Sequence, residues 1–217
     1  MLRLTYDLAV AEEFAQLTSE FSTIEGFLDP LEGFLLYRLA ASGPGLGAIV
    51  EIGSFCGRST AYLAAGSLAS ARARVVAVDH FRGSPEHQPG KRFASPFLAR
   101  DGSTFPRFRD NLHRVGLLDH VQPVQKASVD AAASWSGPIR LLFIDGSHDY
   151  PIVCGDFNRW VPFVVQGGLI GLHDVGNSPD VTRLFEEASV NSREYRLVCG
   201  TRSLRVLQKC SMVSRPE

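Results

Sequence analysis

The sequence predicts a doubly wound α/β domain with a mostly parallel, seven-stranded sheet, and three observations carry that expectation. From residue 48 onward, short apolar runs of strand length alternate with segments of helical periodicity. Several of those runs are apolar along their whole length, as strands buried on both faces of a parallel sheet are. Two closing runs flank Gly200-Thr201 and read as a hairpin, which adds an antiparallel strand at one edge.

Taken in order, residues 7–41 hold two helices. Leu8, Phe14, Leu17 and Phe21 mark the first; Phe34, Leu35 and Leu39, after Pro30, mark the second. SGPGLG (42–47) ends the helical pattern. AIVEIG (48–53) is then a strand, Arg58–Ser70 a helix, and RVVAVD (74–79) a second strand. A long irregular segment precedes a helix at Phe105–Val115 and a strand at HVQPVQ (120–125). Val129–Trp135 is a short helix, IRLLFID (139–145) the fourth strand, and Ile152–Val164 the helix after it. GLIGLHD (168–174) is the fifth strand, followed by a helix over Val181–Val190 and the hairpin runs EYRLVC (194–199) and SLRVLQ (203–208).

The bulk properties narrow the function classes. A chain of 217 residues fits one domain, residues 1–217, with a helical cap over 1–47 and an α/β core over 48–217. Its 45% hydrophobic and 21% charged content is that of an ordinary globular protein. No run approaches the ~20 apolar residues that cross a bilayer. The opening MLRLTYDLAVAEEF carries acids early and lacks a cleavable apolar core, so the expectation is a cytoplasmic protein with no membrane partner. A net charge of −1, with the basic residues spread out, gives no footprint for nucleic acid. Cys56, Cys154, Cys199 and Cys210 form no CxxC pair and no metal spacing, and read as reduced thiols.

Ligands in such sheets collect at the carboxyl ends of the strands, where strand order reverses. The first runs into Glu51-Ile52-Gly53-Ser54-Phe55-Cys56-Gly57-Arg58-Ser59-Thr60. Its glycines admit a ligand to the backbone, and the helix starting near Arg58 offers free N–H groups. The dinucleotide pattern GxGxxG is absent, which argues against an NAD-dependent oxidoreductase, and so is the phosphate-binding GxxxxGK[ST] loop. Asp79 ends the second strand, where an acid suits ribose hydroxyls. Taken alone, the GxxxG turn is equally compatible with a tight strand-to-helix turn that binds nothing.

The run Glu51–Ser59 resembles the first motif of catechol O-methyltransferases and their relatives, including the aromatic before Cys-Gly. FRDNLHRVGLLDHV (108–121) and Lys126-Ala127-Ser128 resemble segments of the same group. IDGSHDYPIVCGDFNRWVPFVVQGGLIGLHDV (144–175) is similar to bacterial sugar and natural-product O-methyltransferases. The resemblance spans residues 48 to 175 and four strand ends. It implies a Rossmann-like class I fold that binds S-adenosylmethionine (SAM). The cofactor-lining residues it implies are Glu51, Gly53, Ser54, Gly57, Ser59, Asp79, Ser128 and Asp145, with His80 beside the ribose or adenine.

The resemblance also implies chemistry. Asp145 and the pair His173-Asp174 end neighbouring strands and are a candidate set for Mg²⁺ or another divalent cation, which would lower the pKa of a substrate hydroxyl. His173 stands where metal-dependent relatives carry an acid, and histidine is a poorer Mg²⁺ ligand. His148, three residues after Asp145, is the candidate general base, with Asp145 as its catalytic partner. The expected partner is a small-molecule acceptor: a sugar, phenol or natural product. A SAM-binding protein without catalysis is the rival reading.

Residues 80–106 are too long for an ordinary connection, and their basic and aromatic residues are those of a lid that grips an acidic, phosphorylated or sugar-bearing substrate. The N-terminal helices have apolar faces large enough to cover the site or to form a homodimer contact.

Overall fold

A computed structural model describes residues 2–91, 93–190 and 193–210; Arg92 lies outside them. Among the described residues seven strands form one sheet: β1 (Ala48–Ile52), β2 (Val75–Asp79), β3 (Val121–Gln125), β4 (Ile139–Ile144), β5 (Val164–Leu172), β6 (Tyr195–Thr201) and β7 (Leu204–Lys209). Their order is β3-β2-β1-β4-β5-β7-β6. β1 to β5 pair in parallel, and β7 runs antiparallel to both β5 and β6. The chain winds outward from β1 through β2 to β3, then returns to β4 on the other side. A crevice therefore opens at the carboxyl ends of β1 and β4.

Helices cover both faces, because successive strand residues point to opposite sides. In β4, Leu141 and Phe143 enter one core while Leu142 and Ile144 enter the other. The first core takes Phe21, Leu36, Tyr62 and Phe108 from α1 (Leu2–Phe21), α2 (Pro30–Ser42), α3 (Arg58–Ala69) and, after the short α4 (Pro96–Asp101), from α5 (Phe105–Arg114). The second takes Ala131, Trp160 and Leu184 from α6 (Ser128–Ala133), α7 (Tyr150–Trp160) and α8 (Pro179–Val190). No helix among the described residues is long and apolar enough to cross a membrane.

The N-terminal helices are packed into the first core. α2 and α3 approach closely at two glycines: a Cβ on Gly33 would stand 2.3 Å from the Tyr62 ring, and one on Gly66 would stand 2.2 Å from the Tyr37 carbonyl.

Four expected boundaries move. The helix expected over 152–164 ends at Trp160, because Pro162 brings no N–H; a 3₁₀ turn follows and β5 starts at Val164. His173 and Asp174 stand just beyond β5, not in it. The hairpin turns at Arg202-Ser203, so Gly200 and Thr201 belong to β6. The irregular segment after β2 contains a 3₁₀ turn at Pro85–His87 and α4.

Gly33→Ala should cost on the order of 1–3 kcal/mol in chemical denaturation, since the new methyl must push Tyr62 aside. A variant as stable as the wild type would mean that α2 and α3 are not pressed together at this point.

Candidate active site

The site begins where β1 stops. Gly53 has a φ of 85°, and a Cβ there would lie 2.3 Å from the Asp145 carbonyl, so only glycine lets the turn pass the end of β4. The Ser54 and Phe55 N–H groups both donate to Asp79 Oδ2 at 2.9 Å, and Phe81 N–H donates to Asp79 Oδ1 at 2.6 Å. Phe55 and Phe81 hold φ values of 47° and 57°, a conformation that costs a bulky residue of order 1–3 kcal/mol. Asp79 thus shapes two strained turns at once. Its carboxylate keeps lone pairs for further donors on the cavity side.

Glu51 lies beneath the turn, wholly buried. Oε2 accepts from the Ser54 hydroxyl at 2.7 Å and the Thr60 hydroxyl at 2.5 Å, while Oε1 has no partner. Burial pushes its carboxyl up to about 7, against the hydroxyl donors that favour the ion.

Two cavities meet above this turn. The first, about 510 Å³, is bounded by Gly53, Asp79, His80, Ser128, Asp145 and Asp156, among others. Ser128 opens α6, and its hydroxyl accepts from Trp160 Nε1 at 2.8 Å. The second, about 530 Å³, brings in Phe27, Ser59, Glu86, His148 and Asp174. Gly53, Phe55, His87, Asp145 and Gly146 face both. The two volumes fall within the range of small-molecule sites. Gly57 is the left-handed residue before α3, and Ser59 is buried in its first turn.

At the junction stands a cluster of acids and imidazoles. His173 Nδ1 lies 2.9 Å from Asp145 Oδ1 and 3.1 Å from Asp174 Oδ2, while its Nε2 lies 3.0 Å from Glu32 Oε2. Burial opposes a charge on His173, but Asp145's charge and the carboxylate hydrogen bonds overcome it and hold the ring protonated. Burial likewise pushes Glu32 up, yet the hydrogen bond and charge of His173 prevail and hold it at about 2. Asp174 is held well below the usual carboxylate range, because the hydrogen bonds from His148 and His173 outweigh its burial. His148 Nε2 lies 2.8 Å from Asp174 Oδ2, and its Nδ1 lies 3.5 Å from Glu86 Oε1. The Asp174 hydrogen bond raises its pKa, with burial working the other way.

The structure thus gathers Asp145, His148, His173 and Asp174, but it does not leave His173 free to hold an ion. Both its nitrogens face carboxylates, and Nδ1 bridges the oxygens that would have to converge on a metal. Asp145, His148 and Asp174 each bring a ligand atom within 4.8 Å of the others. That spacing also follows from the hydrogen bonds they make.

Sequence reasoning missed Glu32, Phe27 and Glu86. The Asp29…Glu32 pair does carry a signal, the spacing of a capping box, and Glu32 Oε2 accepts the Asp29 N–H at 3.0 Å. Nothing in that spacing says that the same carboxylate reaches His173. The segment over 80–106 is tied down: Ser84 Oγ donates to the Gly146 carbonyl at 3.4 Å, and His87 stacks on Phe27 with ring centroids 5.6 Å apart. Arg100 pairs with its neighbour Asp101 and not with the cavities.

A family model described as a methyltransferase domain matches residues 50–175. Among solved structures, the fold is similar to the O-methyltransferase NovP: TM-score 0.62, 18% identity, 82% of this chain and 78% of that one. An O-methyltransferase from Bacillus cereus in complex with S-adenosylhomocysteine (SAH) superposes with a TM-score of 0.59 at 19% identity, over 94% and 91% of the two chains. TomG from Streptomyces achromogenes, in complex with SAM, gives 0.59 at 16% identity, over 93% and 90%.

Glu51 binds its proton more tightly folded, at about 7, than unfolded, near 4.5, so the wild type loses stability as pH rises between those values. Glu51→Gln keeps the neutral form. Relative to wild type it should gain stability across that window, by up to roughly 3 kcal/mol at pH 8. A difference that stays constant from pH 5 to pH 8 would mean that Glu51 is an ordinary ionised carboxylate.

Proposed function

The chain belongs to the methyltransferase-domain family, and from that premise we propose that it transfers a methyl group from SAM to a hydroxyl of a small molecule. The observation that carries this reading is that Asp145 stands where the two cavities meet, with His148 in the wall of the second. One cavity suits a nucleoside with an amino-acid end; the other suits an acceptor.

The first cavity fits SAM by its chemistry. The backbone comes close at Gly53, Asp79 offers acceptors to ribose hydroxyls, and Ser128 and His80 stand at the far walls. Glu51, Ser54 and Ser59 shape the turn from beneath, and Gly57 lets α3 start there. SAM supplies the methyl group: an O–CH₃ bond forms as the C–S bond breaks, and that electron pair neutralises the sulfonium.

The chain's own residues supply position and proton transfer. His148 donates Nε2–H to Asp174, which leaves Nδ1 as the acceptor on the cavity side. An acceptor hydroxyl displaces the long Glu86 contact and gives its proton to that nitrogen. Asp174 fixes the tautomer and stabilises the imidazolium that forms, the same logic as in Asp-His hydrolase pairs. Asp145 flanks the transfer path, held by His173.

An ion between Asp145 Oδ1 and Asp174 Oδ2 would displace the His173 Nδ1–H, which fills that position. The expected set of Asp145, His173 and Asp174 does not fit a divalent ion, and the proton route above uses none.

Four measurements on the purified protein check this reading. Millimolar SAM or SAH should raise the melting temperature, since a ligand of the native state stabilises by mass action. With an identified acceptor, turnover should rise with pH through a value above 6.5, the neutral His148 being the active form. His148→Ala should lose that limb and ~10²–10⁴-fold in rate with little change in SAM affinity, and EDTA should leave the wild type unaffected. Binding of SAM without transfer to any hydroxyl compound would favour the non-catalytic reading; loss of activity in EDTA would restore the metal.

A further inference from the structure

The first cavity holds a buried acid to which the methyl-transfer reading gives no task. Asp156, on α7, is 6% exposed and lines that cavity. Its Oδ2 reaches back toward the end of β4, where a Cβ built on Gly146 would stand 3.7 Å from it. Among the described residues the Ser128 hydroxyl is the one hydrogen-bond donor it meets, and Ser128 in turn accepts from Trp160 Nε1 at 2.8 Å. Arg159 contributes charge, but its Nη1 donates to the Gly155 carbonyl at 2.9 Å. Burial pushes the Asp156 carboxyl up, against the Ser128 hydroxyl and the Arg159 charge, which favour the ion. A carboxylate has room for several donors, and a buried one with a single donor is poorly compensated.

The walls beside it are apolar and come from two helices. Val129 on the first turn of α6 and Ile152 on the first turn of α7 line the same cavity, yet they remain 46% and 51% exposed. Ile152 and Asp156 stand one turn apart on α7, so aliphatic carbon and carboxylate share one face of the helix. Of the parts of SAM, the ribose suits Asp79, and the reacting sulfur belongs at Gly53 and Asp145, which face both cavities. The base is left for the walls made by Ser128, Val129, Ile152 and Asp156. Adenine has apolar faces, and its 6-amino group is the one strong donor on its edge. An ionised carboxylate offers acceptors only, so the two are complementary.

We propose that Asp156 is the specificity-determining contact for the cofactor's base, its carboxylate accepting from the 6-amino group of adenine while Val129 and Ile152 cover the ring. The Ser128 hydroxyl, held by Trp160, orients the carboxylate. A purine without that amino group would leave the buried acid unmet and bind more weakly for it. The inference rests on the reading of this cavity as the SAM site.

The test titrates the protein calorimetrically with SAH and with its 6-deamino analogue, in which hydrogen replaces the amino group. Wild type should prefer SAH by about twentyfold, the worth of a hydrogen bond to a charged group. Asp156→Ala should bring the two ligands within about twofold of each other, mainly by weakening SAH, since the cycle isolates the pair. Asp156→Asn keeps the size of the side chain and one acceptor oxygen, and should restore part of the preference; it carries the test should the alanine variant fail to fold. Equal affinity of wild type for the two ligands would overturn the assignment. So would variants that weaken both ligands by the same factor, because Asp156 would then serve only to hold Ser128 in place. Wild type that binds neither ligand would defeat the SAM reading itself.

Discussion

One buried carboxylate joins the parts of this molecule that have to act together. Glu32 Oε1 accepts from Ser203 N, Ser203 Oγ and Leu204 N, while Oε2 accepts from Asp29 N and faces His173 Nε2. Those partners belong to the start of α2, the hairpin before β7 and the chain just past β5. A carboxylate 2% exposed is costly unless its lone pairs are filled and its charge is balanced. Here four hydrogen bonds and a protonated imidazole meet both demands. The balance is geometric, since each partner must be in place for the others to be worth having.

The constraint passes onward through His173. Its second nitrogen stands between Asp145 and Asp174, and Asp174 in turn orients His148. Asp174 adopts a φ of 63°, a strained conformation outside glycine, held by these bonds and by Asn177 Nδ2 on its other oxygen. The N-terminal helical layer is thereby part of the site and more than a cover. The same layer is fastened a second time on the far side of the first turn. There Arg58 grips three carbonyls of the loop before α2, and Asn111 bridges Glu25 and the Cys56 carbonyl. Between the two clasps runs the loop that carries Phe27.

Much of this was legible in the sequence, and the limits have physical causes. Fully apolar runs such as LLFI (141–144) have one stable use, a strand buried on both faces, so the parallel core could be read directly. The Gly53–Gly57 turn and the acids at strand ends were legible because the sheet's topology places them together. The start of β5 was not, since VVQGG (164–168) carries glycines that read as a break. Contacts between residues far apart in the chain left no periodic signal. Glu32 and His173 are 141 residues apart, and a capping-box glutamate has a complete local explanation without its partner. The burial of Glu51 was illegible for a related reason. Spacing puts it at a strand end but cannot say that the side chain is buried against the Ser54 and Thr60 hydroxyls.

The central claim is that Glu32 holds His173, and through it the reacting end of the sheet. Glu32→Gln keeps the size of the side chain and removes its charge. Unfolding in urea at pH 7, paired with SAH affinity and turnover on the same preparation, is the most direct measurement. The account predicts a loss of roughly 3 kcal/mol in stability and a fall in turnover of tenfold or more in the fraction that remains folded. SAH affinity should stay close to wild type, because Asp79 and the first turn are untouched. A variant with wild-type stability and wild-type turnover would contradict the account, and the acids and imidazoles at the strand ends would then be held by something other than α2.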